Sequence, residues 1–309
     1  MALDVRPIIP SRFFGHKSRG AAPSSRIGAY IALMKLRVVE LLLVTTVPTM
    51  VLAEGGWPSI QLMAITLIGG TLAAGGANAI NMYIDRDIDK LMVRTQNRPL
   101  VTGALTPRAA MIFAVALEIV AFLVLWAGAN LLAAVLAVSA TLFYVFVYSL
   151  WLKRTSKQNI VIGGAAGAMP VLVGWAAVTN SLGWAPVVLF IVIFLWTPPH
   201  FWALAIRHAD DYKAAGVPMM PVVVSLERTV RSMTTYAVLL TLSTLVLVPV
   251  AELGWIYGIT ALVFGVAFVI GSVRLGSDPS PKRSMRLFTF SITYVTAVFV
   301  ALTVDVLLR

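Results

Sequence analysis

A chain of 309 residues that is 59% hydrophobic and 12% charged, with a mean hydropathy of +0.90, is too apolar for a soluble domain, whose charged fraction is about a quarter. Its composition is that of an integral membrane protein. The formal charge of +11 fits cations at membrane-helix ends better than a nucleic-acid surface, and the lack of cysteine excludes disulfides, thiolate metal sites and cysteine nucleophiles.

Residues 1–26 carry Arg6, Arg12, Lys17, Arg19 and Arg26 against Asp4 alone, with Pro, Ser and Gly throughout. They lack the apolar run of a signal peptide and the amphipathic periodicity of a mitochondrial presequence, and read as a poorly ordered cytosolic tail. From residue 27 onward a window of about 20 mostly apolar residues gives nine spans: 29–53, 59–84, 107–127, 129–149, 158–178, 184–206, 229–250, 255–274 and 286–307. In lipid the backbone must satisfy its own hydrogen bonds, so each is a helix. Spans three and four are separated only by Gly128, Ala129 and Asn130. Every Lys and Arg except Arg309 lies in the tail, at the foot of the first span (Lys35 and Arg37), or in the loops after spans two, four, six and eight. Short cytosolic loops hold such an excess, which puts the N-terminus in the cytosol. The expected fold class is all-α, with nine transmembrane helices in one domain, 27–309.

The second span ends in "NAINMYIDRDIDK", where Asn81, Asp85 and Asp89 are spaced i, i+4, i+8. On a helix they advance by about 40° per step and form one stripe. Like charges at that spacing repel, and an aspartate within the bilayer costs on the order of 2.5–3.5 kcal/mol. A divalent cation offsets both terms, and Mg2+, which takes one or two carboxylates plus substrate phosphates, suits so sparse a stripe. Local pairs at i, i+3, Arg86 with Asp89 and Asp87 with Lys90, would leave Asn81 and Asp85 without partners. Asp87 points well off the stripe and is expected to pair with Lys90. Arg94 and Arg98 follow, and their forked guanidinium groups suit phosphate oxygens. Metal plus arginines implies a diphosphate.

A second acidic stretch, "HFWALAIRHADDYKAAGVPMMP", follows the sixth span. Asp210, Asp211 and Tyr212 either support a metal, with Lys213 for phosphate, or serve as turn formers. In the loop after span four, Lys153 and Arg154 are anchors or a phosphate clamp, while Tyr148 and Asn159 flank them; a buried amide such as Asn159 needs partners. Gly163, Gly164 and Gly167 read as close-packing positions. His200 is a packing residue, a general base or an iron ligand.

These residues resemble the UbiA-type membrane prenyltransferases, on the N-x-x-x-D-x-x-x-D stripe, the acidic loop after helix six and the nine spans. "LMKLRVVELLLVTTVPTM", "NMYIDRDIDKLMVRTQNRPL", "LKRTSKQNIVIGGAAGAMPVLVGW" and "TPPHFWALAIRHADDYKAAGVPMMPVV" are similar to the haem-farnesylating branch of that family. The resemblance implies helices around a central cavity, with farnesyl diphosphate and haem b as substrates, Mg2+ as cofactor and a downstream haem A synthase as candidate partner. It carries metal and diphosphate roles onto Asn81, Asp85, Asp89 and Asp211, with Arg94, Arg98, Lys153, Arg154 and Lys213 as phosphate contacts. It leaves His200, Tyr148, Asn159 and Trp202 to position the acceptor, and makes Trp175, Trp196, Phe201 and Trp202 candidate linings for an allylic cation. The wider family's second motif is commonly D-x-x-x-D; here Arg207 stands at its first position before Asp211, which makes a second metal site incomplete. A bacterial cytoplasmic membrane is expected, with the mitochondrial inner membrane as the alternative. The rival activities are a quinone- or chlorophyll-type prenyltransferase, a transporter, whose acids would lie mid-membrane in duplicated halves, and a haem-carrying subunit, which three histidines do not favour.

Overall fold

The computed structural model describes residues 25–278 and 280–309; of the expected basic tail only Ser25 and Arg26 are among them. The chain begins with α1 (Arg26–Met34), α2 (Leu36–Glu54) and α3 (Ile60–Ile84). Two 3-10 turns, Ile88–Lys90 and Val93–Thr95, then lead through α4 (Pro99–Thr102) to α5 (Pro107–Gly128) and α6 (Leu131–Leu142). α6 runs on as a π-helical segment, Phe143–Leu152, into α7 (Lys153–Thr155). After these come α8 (Asn159–Thr179), α9 (Trp184–Arg207), the short α10 (Ala209–Ala214) and α11 (Met220–Val223), and finally α12 (Leu226–Val250), α13 (Trp255–Ser277) and α14 (Pro281–Leu307).

Among the described residues, eight helical stretches from α3 onward are long and apolar enough to cross a membrane, and there is no strand. The protein is therefore an integral, multi-pass membrane protein. The expected first span is built differently, as α1 and α2 joined at Lys35, whose φ of 52° breaks the helix in the left-handed region. The fourth span continues to Thr155 rather than ending at 149. The narrow boundary between spans three and four holds for a visible reason. Asn130 caps α6 by accepting from the Ala133 amide at 2.9 Å, and its own amide donates to the Ala176 carbonyl at the end of α8 at 2.7 Å. Serine or threonine caps start α1, α3, α5, α12 and α14 in the same way, satisfying amides that a helix cannot pair itself.

In a bilayer the large side chains face lipid and the small ones let helices approach. α5 follows this rule, exposing Ile112, Ile119, Leu123 and Trp126 while burying Ala110, Ala114 and Ala121. It packs on α3 so closely that a Cβ on Gly76 would lie 2.6 Å from Glu118 Oε1 and 3.0 Å from the Ala114 carbonyl oxygen. The largest buried cluster joins α9, α12, α13 and α14 through Trp196, Trp202, Met233, Tyr257, Phe268 and Tyr294. α14 packs against both α9 and α2, bringing the last helix back to the first long one. Of the three glycines expected to mediate close packing, Gly163 lies against the Tyr148 ring and Gly164 against Thr197, whereas Gly167 faces open space.

Candidate active site

α3 delivers Asn81 and Asp85 to one end of the bundle, and both are buried. The α-helix stops at Ile84, with Asp85 as its C-terminal cap. The stripe therefore does not continue along a helix. Asp89 is carried on the following 3-10 turn, which stays in register because the Asp89 amide donates to the Asp85 carbonyl at 2.8 Å.

Asn81 and Asp85 are not without partners, contrary to the expectation from local pairs. The Asn81 amide donates to Asp85 Oδ2 at 2.8 Å and to Ser149 Oγ at 3.0 Å, and its Oδ1 accepts from the Lys35 ammonium at 2.9 Å. Lys153 donates to Asp85 Oδ2. Arg98 donates to Asp89 Oδ2 at 2.6 Å, and the Thr95 hydroxyl holds the Asp89 carbonyl at 2.7 Å. The cations expected to meet phosphate thus neutralise the acids in this arrangement. Arg154 is engaged elsewhere: both of its terminal nitrogens donate to Asp87 at 2.7 Å, and one also donates to the Ile84 carbonyl at 3.0 Å. This corrects the expected Asp87–Lys90 pair. The bidentate guanidinium holds the Asp87 carboxyl well below the usual carboxylate range, although that side chain is 61% exposed. Arg86 does not pair with Asp89 either; it donates to the Tyr83 carbonyl at 2.6 Å and covers the Tyr83 ring.

α10 brings the second acidic stretch onto the first. Asp211 is buried and its Oδ1 accepts from the Val93 amide at 3.1 Å, while Arg94 reaches the Tyr212 hydroxyl at 3.5 Å. Asp210 and Lys213 are exposed. Two carboxylate oxygens in this region, Asp85 Oδ1 and Asp211 Oδ2, are buried and make no hydrogen bond. Asn159 is wholly buried with neither amide atom hydrogen-bonded. Buried polar atoms without hydrogen bonds are uncommon; the nearest opposite charges are Arg154, 4.0 Å from Asp85 Oδ1, and the His208 ring, 3.7 Å from Asp211 Oδ2. Among the described residues no three His, Asp or Glu side chains form an all-protein metal cage.

His200 sits between α9 and α14, stacked between Trp196 at 4.1 Å and Phe288 at 4.4 Å, with the Phe201 edge at 5.2 Å. Its Nδ1 is 2.7 Å from Ser291 Oγ, and that hydroxyl spends its single proton on the Phe288 carbonyl at 2.6 Å. The serine oxygen is therefore the acceptor, the histidine proton is on Nδ1, and Nε2 is left with its lone pair. Trp202 points away from His200, toward α12, with its ring edge-on to Tyr236 at 5.6 Å. Tyr148 stacks on Tyr144 within the π-helical segment.

Two residues that contact Asn81 were not legible in the sequence, and a third polar residue lies apart from them. Lys35 reads in the sequence as one more positive-inside cation, although its place inside the first expected span was a usable signal. Ser149 has no signal of its own. Glu118, in the middle of α5, accepts from the Thr141 hydroxyl at 3.1 Å; an acid inside a span is the signal there.

Residues 42–296 match the model of the UbiA prenyltransferase family. A protoheme IX farnesyltransferase of Frankia casuarinae is 53% identical over 92% of this chain and 99% of its own. One of Streptomyces avermitilis is 48% identical over 94% and 98%. The fold is shared with solved structures at low identity. A digeranylgeranylglyceryl phosphate synthase has a TM-score of 0.76 at 18% identity over 92% of this chain and 99% of its own. A UbiA homologue from Archaeoglobus fulgidus bound to DMAPP and Mg2+ has a TM-score of 0.62 at 18% identity over 89% and 99%. The chain belongs to the UbiA prenyltransferase family, and within it to the protoheme IX farnesyltransferases.

Proposed function

We propose that this protein transfers the farnesyl group of farnesyl diphosphate to a vinyl group of haem b, with addition of water, to give haem O and diphosphate. The observation that carries the reading is the meeting of Asp85 and Asp89 with Lys35, Lys153 and Arg98 at one end of the bundle, with Asp211 on the Val93 amide of the loop that follows Asp89, in a chain about half identical to protoheme IX farnesyltransferases over nearly its whole length. Nine spans around a central cavity, with the acidic loops on the cytosolic side of a bacterial cytoplasmic membrane, complete the proposal, and a downstream haem A synthase would take the product.

The residues fit Mg2+. Asp85 Oδ1 and Asp211 Oδ2 are buried carboxylate oxygens without hydrogen bonds, and Mg2+ takes one or two carboxylates and completes its shell with substrate phosphate and water. Asn81 and Asp89 would complete the protein's share. When bound, the metal neutralises negative charge on the leaving diphosphate. Lys153, Arg98 and Arg94 do the same from the protein side, favouring a transition state in which that charge has developed. The C1–O bond of farnesyl diphosphate breaks with its electron pair on the diphosphate. The vinyl carbon of haem attacks the allylic C1, and water adds to the adjacent carbon, its proton passing to diphosphate. Water must be excluded until then, and the aromatic wall of Trp196, Phe201 and Phe288 around His200 suits both exclusion and stabilisation of a cation. His200, with Nε2 as a lone-pair donor, would orient haem or the attacking water.

The test is acceptor choice. Purified protein with labelled farnesyl diphosphate and Mg2+ is offered haem b and, separately, an aromatic quinone precursor. Label is expected in haem alone; label in the aromatic acceptor alone would overturn the reading.

A further inference from the structure

Lys35 stands at a break that no helix needs. It is a non-glycine residue at a φ of 52°, a conformation with a real cost for a side chain bearing a Cβ. The break is held from outside: the Asn78 side-chain amide donates to the Met34 carbonyl at 3.0 Å, pairing an oxygen that the interrupted helix abandons. It brings the Lys35 ammonium to Asn81 Oδ1, within electrostatic reach of Asp85, Asp89, Lys153 and Arg98. The two carboxylates of the stripe are thus faced by three cations, Lys35, Lys153 and Arg98. Arg154 adds a fourth nearby cation, 4.0 Å from Asp85 Oδ1.

A bare divalent cation approaching the free oxygen Asp85 Oδ1 meets repulsion from these cations in a poorly screened environment, with Lys153 already on the other oxygen of the same carboxylate. A diphosphate reverses the balance, because its oxygens give the lysines new partners and its charge offsets the metal's. We propose that Lys35 is a further diphosphate-binding residue of this site, and that Lys35 and Lys153 oppose a lone metal ion beside Asn81 and Asp85, so that Mg2+ is taken up only together with the prenyl diphosphate. The proposal rests on the function given above. It means that the ionising machinery assembles only around a substrate, and that the metal does not reside in the site between turnovers.

The experiment measures metal binding rather than turnover. Mn2+, read by electron paramagnetic resonance, is titrated into the full chain in detergent, with and without the unreactive farnesyl thiodiphosphate. In the wild type, Mn2+ should bind at least about tenfold more tightly with the analogue present. In Lys35→Met and Lys153→Met, affinity for Mn2+ alone should rise by about the same factor while affinity for the analogue falls. Damage to the fold would lower both, so the opposite signs separate a charge role from a structural one. Lys35→Arg and Lys153→Arg, which keep the charge, should restore wild-type dependence. Wild-type protein that binds Mn2+ equally well with and without the analogue overturns the inference, as do Met variants with unchanged affinity for Mn2+ alone. Wild-type protein that binds neither metal nor analogue overturns the proposed function with it.

Discussion

Asp85 has one oxygen on Lys153 and Asn81, while the other makes no hydrogen bond and has the Arg154 guanidinium 4.0 Å away. Burying a carboxylate costs several kcal/mol unless charge and hydrogen bonds compensate it, and only one oxygen of this group is hydrogen-bonded within the protein. The orphan oxygen is where the account places metal. Asp85→Asn keeps the shape and an oxygen for Lys153 while removing the charge. It should leave the protein folded, with an unchanged far-ultraviolet dichroism spectrum, and lower farnesyl transfer by at least about 100-fold, as loss of a charge-stabilising group does elsewhere. Near-wild-type turnover in saturating Mg2+ would remove Asp85 from the metal site.

Helix pairing depends on a few small residues with measurable consequences. A Cβ on Gly76 would meet both the Glu118 carboxylate and the backbone oxygen of Ala114, and backbone cannot swing aside. Gly76→Ala should therefore destabilise the α3–α5 pair by about 1–3 kcal/mol, seen as a lower melting temperature. Gly167→Ala meets open space and should be neutral, or stabilising by up to about 1 kcal/mol through helix propensity. Much at this scale was legible. Eight spans agree with their expected positions, the ends of six of them to within three residues, because apolar length is nearly sufficient to define a helix in lipid. The break at Lys35 was not, since Met34, Lys35 and Leu36 include no Gly, Asn or Pro to signal it. The π-helical segment that places Tyr148, Ser149 and Lys153 is equally silent. In the site, the i, i+4 relation of Asn81 and Asp85 was readable because it is local. The pairing of Lys153 with Asp85 and of Arg154 with Asp87 was not, since those residues are 68 and 67 positions apart and positive-inside bias explains their charge equally well.

At the scale of the whole molecule, the distribution of Lys and Arg and the place of Asp85, Asp89 and Asp211 make one orientation the natural choice. The natural sequence has no cysteine, so single cysteines can be introduced without background. Lys157→Cys, after the fourth span, should react with a membrane-impermeant maleimide only in inside-out vesicles, and Gly183→Cys, before α9, only in right-side-out cells. The reverse pattern would move the acidic site to the opposite face.

The most direct measurement of the central claim is the mass of haem after incubation of the purified protein with haem b, farnesyl diphosphate and Mg2+. The haem should have gained one farnesyl group and the elements of one water, and no such product should form when the metal is chelated. Haem recovered unchanged under conditions in which the diphosphate has been released would contradict it.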